Sequence, residues 1–409
     1  DEDNMTTETL SSSLSFFISS KNCQPFISGI LISKSTKNGF LASAENTANY
    51  NRVWDRDLVI CGLAALASGD DELIACFKNT LISLAQNQHK IGTIPSNVSF
   101  TENHKEISYG GLAGRVDAVT WFIIGVCQYA YYHKDMAFVA KYNAEIEKGL
   151  ALLEAWEFNN KHLIYTPLSG NWADEYITDG YVLYDQLLRL WALKSYNFFA
   201  VSSVVDAKIQ AIQKQIEANF FPNSNEEKFH ERAFKLISSK NHLPCSFSPA
   251  GYKNYYDAFA HALAVLLQVG TTKAQNDWLN VGIEISNSTT LGLVPAFWPP
   301  VFEQNVDWNL LKNNCKYEFR NHPYEFHNGG SWPMVNGFFG MALAMNNNFE
   351  EAERLLSKLN ASNSLENYSF YENFNSETGQ PNGVAFCSWS AAATVLLNQS
   401  VYFNFKLLL

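Results

Sequence analysis

Apolar residues recur along most of the chain at the three-to-four residue spacing of helices that bury one face. Between these segments lie loops of unequal length that are rich in Asn, Ser, Gly and Pro. The predicted helices cover roughly residues 55–68, 71–86, 115–133, 136–156, 180–198, 204–219, 254–269, 273–286, 303–314, 331–347, 349–358 and 383–400. Strand-like alternation occurs only around residues 27–33 and 370–374, so the sequence predicts an all-α fold.

About a dozen helices fit either an α-solenoid or a closed double ring. A solenoid normally shows a repeat of fixed length, and the sequence shows none. We therefore predict an (α/α)6 toroid as a single domain over residues 26–409, preceded by an N-terminal extension over residues 1–25. In such a ring, the loops at one face should collect the polar and aromatic residues that carry function.

Charge and composition narrow the classes of partner. The 29 Lys and Arg against 40 Asp and Glu give a net charge of -11, which disfavours nucleic acid and anionic membrane surfaces. The most apolar stretch, Val119 to Val126, is too short to span a bilayer. We expect a soluble protein that is cytoplasmic, or exported without a cleavable signal peptide, for example into a host cell; the sequence predicts no oligomeric state.

Cysteines and aromatic residues point away from metals and toward sugars. The seven cysteines are an odd number without any Cys-x-x-Cys spacing, which indicates neither a zinc site nor a disulfide framework. We expect no metal and no cofactor. The 10 Trp and 19 Tyr exceed what a helical core needs, and such rings can stack on sugars.

Two polar clusters stand directly ahead of apolar helical segments. Trp54 offers an aromatic ring for stacking, Arg56 a guanidinium that donates hydrogen bonds, and Asp57 a carboxylate that accepts them. This combination suits a sugar ring and its hydroxyls. Arg115 and Asp117 follow a stretch with three glycines and offer similar groups. Ordinary capping of the two helices by acidic residues is the alternative interpretation.

Three carboxyls lie among aromatic residues and are candidates for acid and base catalysis. Asp174 and Glu175 follow Trp172, and an apolar wall with a like charge raises the pKa of a carboxyl toward that of a general acid. Glu372 lies between Tyr371 and aromatic neighbours in an extended piece, ahead of Trp389. Solvated capping acids and an exposed hairpin glutamate are the alternatives.

The segment 321–333 contains two histidines, an acid and several aromatic rings. His327, Asn328 and Trp332 are candidates for hydrogen bonds and stacking with a sugar, although a structural turn would use the same residues. The spacing of His322 and His327 does not suit a metal site on one helix face. Serine hydrolase chemistry is disfavoured because the chain has no Gly-x-Ser-x-Gly motif.

In this order the motifs resemble those of the glucoamylase family, glycoside hydrolase family 15, over about residues 27–397. The segment 54–57 is similar to the family's Trp-x-Arg-Asp, which implies that Arg56 and Asp57 hold the terminal glucose. The segment 172–175 resembles the family's Trp-Glu-Glu, which implies Asp174 as general acid. The segment 371–379 with 388–390 resembles the base-bearing hairpin, which implies Glu372 as general base.

Two departures bear on the substrate. The segment 327–333 is nearer to the His-Asn-Gly-Gly-Ser-Trp-Pro of neutral invertases, and the first acid is Asp, as in invertase and trehalase relatives; debranching-type glucosidases of related toroids are more distant. The resemblance implies an inverting, exo-acting hydrolase that releases glucose from non-reducing ends of an α-glucan such as glycogen or malto-oligosaccharides. A sucrose-cleaving hydrolase, a non-catalytic carbohydrate-binding toroid and, more weakly, a solenoid interaction protein stay as alternatives.

Overall fold

A computed structural model describes residues 52–101, 104–237 and 241–409. The extension 1–25, the strand-like piece 27–33 and Cys23 lie outside these ranges. The described helices are α1 (Asp55–Ser68), α2 (Asp71–Gln86), α3 (Asp117–His133), α4 (Met136–Lys141), α5 (Asn143–Ala155), α6 (Leu183–Phe199), α7 (Ser203–Phe220), α8 (Glu231–Phe234), α9 (Ala258–Leu266), α10 (Thr272–Asn287), α11 (Trp308–Asn313), α12 (Pro333–Met345), α13 (Phe349–Asn363), α14 (Leu365–Tyr368) and α15 (Ser388–Tyr402).

Six of these helices form a closed inner ring. In the order α1, α3, α6, α9, α12 and α15, each helix packs against the next, and α15 packs against α1. Inner helices are buried on all sides, as α3 shows by the burial of every residue from Asp117 to Ala130. Such helices need apolar residues all round, because the ring covers one side and an outer layer covers the other.

The outer layer consists of amphipathic helices that follow the inner helices along the chain. Within the described ranges α2 packs on α1, α5 on α3, α7 on α6, α10 on α9, and α13 on α12 and α15. In α2 the buried Leu73, Phe77, Leu81 and Leu84 recur at helical spacing and face the inner ring. The predicted all-α toroid is thus confirmed.

Short strands occupy the loops and were largely missed by the helical pattern. They are β1 (Val53–Trp54), β2 (Asn97–Thr101), β3 (His104–Ser108), β4 (Tyr181–Val182), β5 (Ser246–Ser248), β6 (Gly251–Lys253), β7 (Tyr256–Asp257), β8 (Phe297–Trp298), β9 (Asn373–Phe374) and β10 (Pro381–Asn382). All pair antiparallel, in the orders β1-β2-β3, β4-β5-β6, β7-β8 and β9-β10. Strands β1, β4 and β7 each lead directly into an inner helix. The three small sheets that contain them therefore lie at the end of the ring where those helices begin.

Two predicted helices differ most from the structure, and others, such as 254–269, 349–358 and 383–400, differ by three to five residues at an end. The segment 136–156 is divided into α4 and α5 at Tyr142, whose backbone is not helical. The segment 303–314 contains only the short α11. The described cysteines are all unpaired, and no helix among the described residues is long and apolar enough to cross a membrane. A single domain over 26–409 stays a prediction.

Candidate active site

A cavity of about 580 Å³ lies where the inner helices begin. The loops leading into α1, α3, α12 and α15, together with the turn at residues 169–175, supply its lining. All but two of the predicted site residues line it, namely Trp54, Arg56, Asp57, Arg115, Trp172, Asp174, Glu175, His327, Trp332, Glu372 and Trp389. The toroid therefore brings together, in one cavity, motifs that are more than 300 residues apart.

Asp117 is one exception, because it is fully buried and does not line the cavity. Both of its carboxylate oxygens accept from Arg56 Nη1 at 3.1 Å. Its Oδ2 also accepts from the Tyr184 hydroxyl at 2.8 Å and from the Trp172 backbone N–H at 3.1 Å. Asp117 thus joins α1, α6 and the turn at residues 169–175, and its carboxylate is engaged by protein donors below the surface of the cavity. Binding of a sugar by Asp117 stays a prediction.

Asn328 is the other exception. Its side-chain amide donates to the Val301 and Asn321 carbonyls, and its Oδ1 accepts from the Val301 backbone N–H at 2.6 Å. Its own backbone N–H donates to Asn321 Oδ1 at 3.0 Å. Because these bonds use its polar side-chain atoms, Asn328 holds the loop in shape and is not available to a ligand.

The turn that carries Asp174 is fixed by hydrogen bonds from several directions. The Ala173 backbone N–H donates to Asn171 Oδ1 at 2.9 Å, and the Ser169 hydroxyl donates to the Asp174 carbonyl. Arg115 Nη2 donates to Asp174 Oδ2 at 3.0 Å. The Asp174 side chain is still 36% exposed, so it is accessible from the cavity.

Glu175 is more enclosed, with a side chain that is 15% exposed. Its Oε2 is paired with Arg320 at 3.0 Å, and Asn321 donates to its backbone carbonyl at 2.7 Å. Burial raises the pKa of Glu175 above its ordinary value, although the Arg320 charge opposes the rise. Arg320 in turn lies 4.1 Å from the centre of the Phe326 ring, which holds the guanidinium in place.

Glu372 is almost fully buried on the loop between α14 and β9. Its backbone N–H donates to the Val384 carbonyl at 2.9 Å, and the pairing of β9 with β10 follows directly. Ser390 at the start of α15 donates to the Tyr371 carbonyl at 2.9 Å. The loop that carries Glu372 is therefore fastened to the inner ring at the start of α15, next to Trp389, which also lines the cavity.

Aromatic rings form the deep wall of the cavity. Trp172 lies edge-to-face with Trp332 at 5.1 Å between ring centres, and His327 stacks on Trp332 at 5.2 Å with 10° between the planes. Within the described residues, the two ring nitrogens of His327 and the indole nitrogen of Trp389 have no hydrogen-bond partner. Buried polar atoms are rarely left unsatisfied, so these three nitrogens are candidates for hydrogen bonds to a group that is not part of the protein.

Burial and neighbouring charges shift the pKa values of two residues in the cavity, His327 and Asp57. Burial, reinforced by the charges of Arg320 and Arg56, holds the pKa of His327 well below its usual range, so the imidazole is neutral and has one donor and one acceptor. Burial raises the pKa of Asp57 to about 6 despite the neighbouring Arg56. His327 therefore offers one donor and one acceptor, while Arg56 adds donors and Asp57 an acceptor.

Several lining residues were not predicted from the sequence. Arg52 donates to Asn97 and to Glu106 on the β2–β3 hairpin, at 3.2 and 3.5 Å. The alternation in residues 97–101 could have revealed this hairpin, but the contacts of Arg52 depend on strand pairing. Arg320 adjoins the segment 321–333, yet nothing in the local sequence pairs it with Glu175.

No group of three or more His, Cys, Asp or Glu side chains that could hold a metal occurs in the part of the chain that the structure describes.

Comparison with known proteins places the chain by fold. No family model and no curated protein matches the sequence. A bacterial glucoamylase complexed with acarbose is similar in structure, with a TM-score of 0.61, 17% identity and coverage of 93% of this chain. The chain spans 55% of the length of that glucoamylase.

Two shorter solved structures match over nearly their whole length. One is the GH63 mannosylglycerate hydrolase from Thermus thermophilus in complex with Tris and D-glycerate, with a TM-score of 0.61 and 13% identity. The match covers 90% of this chain and 97% of the hydrolase. A glycosidase variant in complex with glucose has a TM-score of 0.63 at 12% identity and covers 97% and 99%. At these identities the likeness establishes the shared toroid.

Proposed function

We propose that the protein is an inverting, exo-acting glycoside hydrolase that releases glucose from the non-reducing ends of a soluble α-glucan such as glycogen or malto-oligosaccharides. The observation that carries the proposal is one cavity that combines buried aromatic walls, unpartnered polar atoms and carboxyls on separate loops. The glycosidases with the same toroid support it, as does the resemblance of the motifs to glucoamylases.

The terminal glucose would be held at the deep end of the cavity. Arg56 and Asp57 supply donors and an acceptor there, and His327 adds one of each. Trp172 and Trp332 give the apolar surface that the C–H face of a pyranose needs. Asp57, His327, Trp172 and Trp332 are almost fully buried and the Arg56 side chain is 12% exposed, so the site would enclose the end of a chain and favour exo-action.

In the proposed reaction Asp174, protonated, donates its proton to the glycosidic oxygen as the bond from the anomeric carbon to that oxygen breaks. Ionised Glu372 removes a proton from a water molecule, whose oxygen forms the new bond on the opposite face of the ring. The leaving sugar departs as a neutral alcohol and glucose is released with inverted configuration. Asp174 regains its proton and Glu372 loses its proton through solvent exchange.

Asp174 and Glu175 compete for the role of acid. We assign it to Asp174, because this side chain is the more exposed to the cavity and follows the resemblance, whereas Glu175 is held by Arg320. The raised pKa of Glu175 and the ion pair from Arg115 to Asp174 favour the opposite assignment. A substrate whose leaving group needs no protonation separates the two.

The reaction itself is tested by incubating the protein with glycogen, maltose and sucrose and following product anomers by NMR. We expect β-glucose as the first product from glycogen, whose non-reducing ends release only the sugar that is cleaved off; maltose also releases its reducing-end glucose as a mixture of anomers. If α-glucose appears first, inversion is wrong. Cleavage of sucrose alone would support the invertase alternative, and binding of maltose without turnover would support a non-catalytic toroid.

The assignment of roles is tested with Glu372→Gln, Asp174→Asn and Glu175→Gln. Loss of the base should lower turnover of maltose and of α-glucosyl fluoride by about 10²–10⁴-fold. Loss of the acid should lower turnover of maltose by a similar factor but spare glucosyl fluoride, because fluoride leaves without a proton. Whichever of the two acid variants shows this split identifies the acid. Glu377→Gln, on an exposed residue of the same hairpin, is the matched control and should retain wild-type rates.

A further inference from the structure

The aromatic lining of the cavity changes in character toward the solvent. Trp172, Trp332 and Trp389 are each less than 5% exposed. Two other lining residues are large, apolar and open to solvent, Tyr317 at 81% and Leu112 at 73% exposure. An aromatic ring that is exposed at the edge of a cavity adds nothing to the buried core of the protein. Such rings often contact ligands.

The segment 314–318 that carries Tyr317 is anchored at both ends. Asn314 donates to the Tyr176 carbonyl at 2.6 Å, one residue beyond Glu175. After the segment, the Phe319 ring contacts Trp308 and His322 at 5.5 and 5.0 Å between ring centres. The tyrosine is therefore exposed, but its backbone is fixed beside the turn that carries the acids.

The charges of the lining disfavour an anionic leaving group, because six carboxyl side chains accompany five basic ones there. One of the basic residues, Lys316, has its ammonium 5.2 Å from the centre of the Tyr317 ring, and the other four are arginines. Arg52 pairs with Glu106, Arg115 with Asp174 and Arg320 with Glu175. Arg56 is likewise bound by the buried Asp117. Every lining arginine thus has a carboxylate partner. None presents an unpaired guanidinium to a carboxylate or a phosphate of a ligand.

We propose that Tyr317, with Leu112, forms the binding site for the leaving sugar, and that this leaving group is an uncharged pyranose. The flat ring of Tyr317 would stack on the apolar C–H face of the sugar next to the scissile bond. The substrates would then be disaccharides and oligosaccharides, and glycosides of small or acidic alcohols would be poor substrates. This inference rests on the function proposed above for the same cavity.

The test compares Tyr317→Ala and Tyr317→Phe on maltose and on α-glucosyl fluoride, which has no leaving sugar. For Tyr317→Ala we expect KM for maltose to rise about tenfold with kcat nearly unchanged, and less than a twofold change on the fluoride. Tyr317→Phe keeps the ring and should restore KM. Tyr131→Ala, on an exposed tyrosine at the far end of α3, is the matched control.

The outcomes separate this inference from the proposed function. An enzyme that cleaves maltose equally well with and without the Tyr317 ring would overturn the inference, as would equal losses on both substrates or a preference for glucosylglycerate over maltose. If the wild type cleaves none of them, the proposed function fails. Calorimetric titration with maltose and glucose then decides the inference: tenfold weaker maltose binding by Tyr317→Ala, with unchanged glucose binding, supports it, and equal maltose binding refutes it.

Discussion

At the scale of single residues, the position of Glu372 depends on a glycine on the opposite side of its loop. Gly383 has a φ of 72°, a conformation that side chains other than glycine rarely adopt. A Cβ added at Gly383 would lie 2.6 Å from Glu372 Oε1 and 3.0 Å from Glu372 Cβ. The glycine thus allows the loop to turn and leaves the space that the glutamate fills.

We therefore expect Gly383→Ala to displace Glu372 and to lower kcat/KM on maltose by about 10²-fold, since catalysis is sensitive to shifts of about 1 Å. Gly69→Ala is the matched control, because Gly69 has the same φ of 72° and no atom within 4 Å of the added Cβ. Both variants should lose about 1–2 kcal/mol of unfolding free energy through the strained backbone. Equal activity of the two variants would show that Gly383 does not position the base.

At the scale of elements, a buried ionic cluster that does not line the cavity joins three helices. Glu157, just after α5, pairs with Arg189 of α6 at 2.6 Å and with Lys208 of α7 at 2.7 Å. The His162 backbone N–H also donates to Glu157 at 2.8 Å. Burial alone would raise the pKa of Glu157, but the hydrogen bonds from Lys208 and Arg189 lower it below its ordinary value.

We expect Glu157→Gln to lower the unfolding free energy by about 3 kcal/mol at pH 7, because it leaves the buried Arg189 without a counter-charge. The folded-state pKa of Glu157 is depressed, so its contribution is present above the unfolded-state pKa and is lost as the pH falls through the folded-state value. Urea unfolding at pH 7 and near pH 3 should therefore show a smaller gap between wild type and variant in acid.

Glu351→Gln is the control for this cluster. Its partner Arg354 lies at 2.7 Å, but both side chains are more than a quarter exposed, so the loss should stay below about 1 kcal/mol. Equal losses for the two variants, or a gap for Glu157→Gln that widens in acid, would contradict the assigned role of the buried cluster.

At the scale of the whole molecule, the last helix closes the ring on the first. Gln399 of α15 donates to the Ala67 carbonyl of α1 at 2.9 Å, across 332 residues of sequence. Beyond α15, the Leu408 carbonyl accepts from Gln128 of α3 and Trp191 of α6, at 2.6 and 2.7 Å. The two ends of the described chain therefore depend on each other for burial.

From this closure we predict that the toroid unfolds as one cooperative unit. Far-UV circular dichroism and tryptophan fluorescence should give coincident urea transitions, since the inner helices share one continuous core. Two separated transitions would mean that part of the ring folds alone, and the single domain over 26–409 would then be wrong.

Local patterns were enough to predict much of the fold and many of the site segments. Helices α1 and α2 begin and end where the periodicity of apolar residues begins and ends, because helical hydrogen bonds join residues only four apart. The clusters at 54–57, 172–175 and 321–333 were visible because polar and aromatic residues stand together there, in the loops that precede inner helices or in their first turn. The sequence by itself therefore determined most of the helices, the all-α class and the candidate carboxyls.

Only the tertiary structure decided which of the candidate residues line the cavity and which hold the lining residues in place. Asp117 lies under the cavity because Arg56 and Tyr184, 61 and 67 residues away in sequence, bring their polar groups to it. Glu175 is enclosed because Arg320 reaches it across 145 residues, and Tyr317 lines the cavity although no motif marks it. Such contacts follow from closure of the ring, and periodicity, which relates only near neighbours, contains no information on them.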